Sequence, residues 1–216
     1  MQIKSLFSKP IYEYNKVQFF ISLLRRNSKL QLNQSDNRKY LNVGCGANIY
    51  PQFVNLDWQW RPGVDYCWDI LRGLPFSNEQ FIGIYSEHCL EHLPFDRIQF
   101  VLSEFYRVLK AGGVARIVLP DGQKYIETYY KRMNGEFVEF PYENDLTLKT
   151  PMMHVNSVFR YHGHLYCYDF NTLKLLLEEI GFVNIVKSGF NESQDLNFKC
   201  DTKHRENESL YLECTK

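Results

Sequence analysis

YLNVGCGANIYPQFVNLD, residues 40–57, is the stretch on which the fold turns. Tyr40-Leu41-Asn42-Val43 is a short, mostly apolar run that stops at Gly44-Cys45-Gly46, and Phe53-Val54-Asn55-Leu56-Asp57 is a second run that ends in an acid. Short apolar runs bounded by glycine read as strands. The glycine pair lets the chain turn sharply and lets a ligand approach the backbone. A carboxylate at the end of the second strand can accept from both hydroxyls of a ribose. The dinucleotide fingerprint would need a third glycine where Ile49 stands and an acid about 20 residues on; Asp57 comes 13 residues after Gly44, so a nicotinamide enzyme is disfavoured.

Downstream, Phe81 to Tyr85 is a third strand, and Val114 to Leu119, introduced by a Gly112-Gly113 turn and stopped by Pro120, is a fourth. Between them Ile98, Val101, Leu102, Phe105, Val108 and Leu109 recur at three- and four-residue steps, the mark of an amphipathic helix that Gly112 would stop. Asn171 to Ile180 reads as another helix, capped by Asn171 and ended by Gly181. Val183 to Val186 and Glu208 to Cys214 are the last strands. Alternation of strands and helices predicts an α/β fold on a parallel sheet. In such sheets ligands bind beyond the carboxyl ends of the strands. That edge collects Gly44-Cys45-Gly46, Asp57, Asp69-Ile70, then Ser86-Glu87-His88 and Asp121.

Taken in order, LNVGCGANIYPQFVNLDW, WDILRGLPF, YSEHCLEHL and FYRVLKAGGVARIVLPD resemble the class I S-adenosylmethionine-dependent methyltransferases, and the later LLEEIGF and ESLYLEC look like that family's last helix and strand. The resemblance implies a Rossmann-like, seven-stranded, mostly parallel sheet with helices on both faces. It also implies S-adenosyl-L-methionine as cofactor. By position, Val43, Gly44, Cys45 and Gly46 would lie against its methionine part, Asp57 would hold the ribose hydroxyls with Trp58 beside the adenine, and Asp69 and Ile70 would meet the adenine edge. Ser86, Glu87 and His88 would border the transferred methyl group. The sugar- and small-molecule-modifying branch, associated with polysaccharide synthesis, is the nearest likeness. This chain departs from the family in having Asn48 where a third small residue is usual. Only residues 47–52, broken by Pro51, separate the turn from the second strand, so the first helix must be very short.

Methyl transfer from a sulfonium needs alignment above all, and an oxygen or nitrogen acceptor also needs a base. His suits that role near neutral pH. The candidates are His88, Asp121 and the histidines His154, His162 and His164, with His162 and His164, flanking Gly163, favoured. His88 and His92, four apart, and His162 with His164 could meet on zinc. No close Cys pair joins them and nothing fixes a ligand set, so no metal is expected. Residues 124–168, rich in aromatics and His, read as an insertion covering a site.

The chain has 216 residues with 25 basic and 25 acidic side chains. Zero net charge argues against nucleic-acid binding by bulk electrostatics. The first 39 residues nevertheless carry eight basic and two acidic residues, so 1–39 read as a basic arm, and the resemblance implies that 40–216 are the methyltransferase domain. The arm's apolar run, Val17 to Leu24, is far short of a membrane span of roughly 20 residues. An amphipathic arm packed on the body is expected, with peripheral membrane or partner contact as the other reading. Six dispersed cysteines fit a reducing cytoplasm. The expected activity is methylation of a small-molecule or glycan-linked acceptor at oxygen. A non-catalytic scaffold that keeps the fold is the alternative, and the charge runs at Glu178-Glu179 and Lys203 to Glu208 are expected to be solvated surface.

Overall fold

A computed structural model describes residues 16–31 and 36–216. Its centre is one seven-stranded sheet: β1 (Tyr40–Val43), β2 (Phe53–Asp57), β3 (Tyr66–Cys67), β4 (Phe81–Glu87), β5 (Leu109–Pro120), β6 (Val183–Ser188) and β7 (Ser209–Thr215). The order across the sheet is β3-β2-β1-β4-β5-β7-β6. The pairs β1·β2, β1·β4, β2·β3 and β4·β5 are parallel, and β7 runs antiparallel to both neighbours. The chain therefore has the expected Rossmann-like architecture.

The two faces of the sheet differ in chemistry. Leu41, Val43, Val54, Leu56, Ile84, Ala115, Ile117, Leu119, Leu210 and Leu212 alternate onto one face. There they meet α2 (Phe95–Val108) through Ile98, Val101, Leu102 and Phe105, and α5 (Phe170–Ile180) through Leu173, Leu176 and Leu177. The intervening residues point the other way, because successive strand side chains alternate. On that face Phe53, Tyr85, Val118 and Tyr211 pack against Phe198, and Tyr40 and Tyr50 flank them. Segment 189–205, with two single-turn 3-10 helices, covers this side and is pinned by Arg116. This fully buried guanidinium donates to Asp201 (3.0 and 2.5 Å), Glu213 Oε1 (2.9 Å) and the Gly189 carbonyl (2.9 Å).

Several local expectations change. α2 ends at Val108, and Leu109 already pairs with Phe81; the register then jumps to Gly83 opposite Val114. Lys110 to Gly113 thus bulge out of β5 instead of forming a turn ahead of it, and the Gly112 N–H reaches the Lys216 carbonyl. The cap of α5 is Asp169, whose carboxylate accepts from Thr172 N–H at 2.8 Å, so Asn171 lies inside the helix. Between β1 and β2 there is no helical turn, only a loop that the Asn55 side chain ties to Tyr50 through its N–H (3.1 Å) and carbonyl (2.9 Å). Six residues containing proline are too few for a stable turn of helix.

The arm's residues 1–15 and 32–35 lie outside the described residues, and with them Lys4, Lys9 and Glu13. Its helix α1 (Lys16–Arg25) docks on the β2–β3 edge by polar groups. Trp60 N–H donates to the buried Ser22 hydroxyl (2.8 Å), Arg26 Nε donates to the Trp58 carbonyl, and Asn27 N–H donates to the Cys67 carbonyl. Val17, Phe20, Leu23 and Leu24 stay exposed. The described part of the arm thus packs on the body, through polar groups and not through its apolar residues. Among the described residues no helix is long and apolar enough to cross a membrane.

Candidate active site

Because β1 to β4 are parallel, their carboxyl ends share one edge, and a cavity of about 590 Å³ opens there. The turn after β1 contributes Gly44, Cys45, Gly46 and Asn48; the end of β2 contributes Asp57, Trp58 and Arg61; the end of β3 contributes Trp68, Asp69 and Ile70; and the end of β4 contributes Glu87, His88, Cys89 and His92. Thr202, His204 and Arg205 close it from the far end of the chain. His204 and Arg205 thus belong to the cavity wall, while Lys203 and Asn207 of the same charged run stay exposed as expected.

Nine of the eleven residues expected around the cofactor line this cavity: Gly44, Cys45, Gly46, Asp57, Trp58, Asp69, Ile70, Glu87 and His88. Val43 and Ser86 do not. Val43 is fully buried in the core, and Ser86 lies inside β4, which runs two residues beyond Tyr85.

The two glycines of the turn serve different ends. Gly44 has φ +71°, and a Cβ there would sit 2.4 Å from Cys89 Sγ, so its missing side chain makes room for the protein. Gly46 has φ +53° and open space where a Cβ would stand. Asp57 holds this turn: Oδ2 accepts from Gly46 N–H at 2.8 Å and Oδ1 from Gln59 N–H at 2.7 Å. A carboxylate has about four acceptor positions, so two remain for hydroxyls. Burial raises the Asp57 pKa, opposed by the N–H groups of Gln59 and Gly46. Trp58 is about half exposed, and the Arg26 guanidinium lies 3.3 Å over its ring. Asp69 caps a 3-10 turn by accepting from Leu71 N–H.

Beyond β4 the backbone of His88 is left-handed, with φ +48°. Its Nε2 is 2.9 Å from Ser209 Oγ, and its Nδ1 is 3.4 Å from Glu91 Oε1. Burial, then the positive Arg205, holds the His88 imidazole down at about 4, so it is neutral at pH 7. Burial lowers His92 and His164 in the same way and raises Glu91.

Of the other expected bases, Asp121 is buried and occupied. It caps α3 (Gly122–Met133) by accepting from Gln123 N–H and pairs with Lys187 at 3.4 Å. His162 is exposed at a left-handed position, φ +57°, away from the cavity lining. His154 is buried, stacked on Phe140. Of the favoured pair only His164 approaches the site, with its ring 5.0 Å from that of His92. Residues 124–168 contribute nothing to the lining; α3 and α4 (Pro151–Arg160) pack instead around Tyr125, Phe140 and Val158. The reading of 124–168 as a cover is corrected accordingly.

Glu91 escaped the sequence reading. An acid between Leu90 and Leu93 at a strand end was a signal, since it had to be buried there, and its carboxylate is 1% exposed.

Residues 38–117 match a family described as a methyltransferase domain. No curated protein matches the chain. Among solved structures, an SAM-dependent methyltransferase from Thermotoga maritima is 18% identical, with a TM-score of 0.51 over 82% of this chain and 81% of its own. An S-adenosylmethionine-dependent methyltransferase from Mesorhizobium loti is 13% identical, with a TM-score of 0.51 over 87% of this chain and 95% of its own. The fold is that of S-adenosylmethionine-dependent methyltransferases, and the matched segment is that of a methyltransferase domain.

Proposed function

We propose that the cavity is the S-adenosylmethionine site and that the chain transfers the methyl group to oxygen of a small-molecule or glycan-linked acceptor. The observation that carries this reading is the convergence of Gly44–Gly46, Asp57, Asp69-Ile70 and Glu87-His88 on one cavity, from four strand ends far apart in sequence. Its volume of about 590 Å³ suits a ligand of nucleoside size.

The residues fit the group. The open space at Gly46 admits the methionine part, the two free acceptor positions of Asp57 suit the ribose diol, and Trp58 and Asp69 stand where an adenine would lie. Val43 and Ser86 act by packing behind that wall. Bound S-adenosylmethionine supplies an activated methyl with a good leaving group, so the chain's task is alignment and exclusion of water. The acceptor end is the wall formed by His88 and His92, with Arg205 and His204 beside it.

An oxygen acceptor is supported by the neutral His88 imidazole, which can take a hydroxyl's proton. A small or glycan-linked acceptor is supported by the apolar walls from Trp58, Trp68 and Leu93 and by the chain's zero net charge, which gives a polyanion no bulk attraction. A reducing cytoplasm is supported by six cysteines, none of them in a disulfide.

A thermal-shift titration tests the reading. S-adenosylmethionine or S-adenosylhomocysteine at 100 times its dissociation constant adds about 2.7 kcal/mol, which at ~2–4 °C per kcal/mol is a shift of several degrees. NAD should give none. No response to any of the three would favour a scaffold that keeps the fold without the ligand.

A further inference from the structure

We propose that Glu91, His92 and His164 bind one divalent transition-metal cation, zinc by the chemistry of the set, at the acceptor end of the cavity, with His88 beside them. Two segments far apart in the chain build the cluster. Leu90–His92 forms a 3-10 turn after β4, and the chain after α4 is stitched to it where Leu165 and Tyr166 donate their N–H groups to the Glu91 carbonyl (2.8 and 3.2 Å). Ligand atoms of Glu91, His92 and His164 all lie within 4.8 Å of one another.

The hydrogen-bond directions fix where the ring lone pairs point. The single proton of the Ser209 hydroxyl goes to the Arg205 carbonyl (2.8 Å), so His88 Nε2 must be the N–H that donates to Ser209, and His88 Nδ1 is a bare lone pair. His164 Nδ1 lies 2.7 Å from the Val158 carbonyl, which can only accept, so His164 Nε2 is bare as well. Both lone pairs face Glu91, whose two oxygens are buried without a hydrogen-bond partner. Acceptors therefore converge with no donor between them, a costly arrangement in a buried site. One proton on the carboxyl would serve only one of the imidazoles.

The spacing is that of groups sharing an ion. His92 Nε2 and His164 Nε2 stand 3.8 and 3.9 Å from Glu91 Oε1, with no hydrogen bond from either to the carboxylate. Two ligands about 2.1 Å from one zinc at the tetrahedral angle are about 3.4 Å apart. The far nitrogen of His164 is held by the Val158 carbonyl, the outer support that orients a metal-binding imidazole. Imidazole and carboxylate together suit zinc and its neighbours.

His92 lines the cavity, so the side of the cluster open to a further ligand faces the acceptor. Resting on the methyltransferase reading, the cation would draw an acceptor hydroxyl there and lower its pKa. The hydroxyl proton leaves to solvent. An oxygen lone pair then forms the new C–O bond as the C–S bond breaks, and its electron pair goes to the sulfur of S-adenosylhomocysteine.

The test uses tag-free protein stripped by a chelator, titrated calorimetrically with Zn²⁺, and with Co²⁺ followed by visible absorption. One equivalent of each should bind, with ligand-field bands for Co²⁺. His164→Ala and His92→Ala should each lose at least the ~100-fold that marks the upper limit for residues that only support a ligand. Retention of the S-adenosylmethionine thermal shift in His164→Ala shows that the variant is folded. Absence of one-equivalent binding, or affinity unchanged in both variants, overturns the metal site even where S-adenosylmethionine binds. Zinc bound in one equivalent and lost in the variants, with no response to S-adenosylmethionine, upholds the site and removes the cofactor reading instead.

Discussion

Thr202 gives both its backbone N–H (2.9 Å) and its hydroxyl (2.5 Å) to the carboxylate of Glu87. Asn48 Nδ2 adds a third bond to the same carboxylate at 3.0 Å. Glu87 thus ties the end of β4 to the loop after β1 and to the segment that roofs the cavity. Three of its roughly four acceptor positions are filled by the protein, which leaves one for a ligand. Glu87→Gln turns one acceptor into a donor facing Thr202 or Asn48. Loss of about 1–3 kcal/mol in urea unfolding is expected, together with weaker binding of S-adenosylhomocysteine. A variant as stable and as tight-binding as the parent would show that this carboxylate does not organise the roof.

Gly44 and Gly46 should respond differently to alanine. Both have positive φ, which costs an L-residue about 1–2 kcal/mol. At Gly44 the new Cβ also meets Cys89 Sγ at 2.4 Å and Cβ at 2.5 Å, whereas at Gly46 it meets nothing within 4 Å. Gly44→Ala should lower Tm well beyond Gly46→Ala, and Gly46→Ala should act mainly on ligand affinity. Equal Tm losses would contradict the packing assigned to Gly44.

Arg116 is fully buried and faces an equally buried Asp201, which also accepts from the Tyr85 hydroxyl at 3.1 Å and from Asn191 N–H at 2.7 Å. Arg116→Met leaves that carboxylate without its charge partner, and removal of one member of a buried pair costs about 3–5 kcal/mol. Guanidinium unfolding measures it. A loss under about 1 kcal/mol would mean that segment 189–205 is held by its aromatic contacts alone.

Glu104 accepts from Arg107 (2.6 and 2.8 Å) and from Leu74 N–H (2.6 Å). Chiefly through Arg107, its pKa is lowered from the usual 4.5. An acid depressed in the folded state adds stability above its unfolded pKa and loses it as pH falls through the folded value. The Tm gap between the parent and Glu104→Gln should therefore be widest near pH 7 and close below pH 4.5. A gap constant with pH would show that the pair carries no such linkage.

Much of this was legible in the sequence. β1, β2, α2 and α5 each carry enough apolar residues at one period to declare themselves, and the glycine turn, Asp57 and His88 follow once strand ends are located, whereas Asp69 follows no legible strand and takes its place from the family resemblance. β3 has two residues, too few for any period to show. Gly112-Gly113 has the composition of a turn, and only pairing with β4 reveals the bulge. The cover of the second, aromatic face was hidden because Arg116 finds Asp201 far along the chain. His164 was picked out for its neighbour His162, yet its partner is Glu91, a contact that tertiary folding alone creates.

The most direct test of the central claim reads the cavity's own tryptophans. Trp58 and Trp68 line it, so S-adenosylmethionine binding there should change their fluorescence. A saturable change is expected with S-adenosylmethionine and S-adenosylhomocysteine, and none with NAD. In Asp57→Ala the affinity should fall by the roughly 1.5–3 kcal/mol of a hydrogen bond to a charged group. A flat titration with all three, in a protein that is folded, would contradict the claim that this cavity holds the methyl donor.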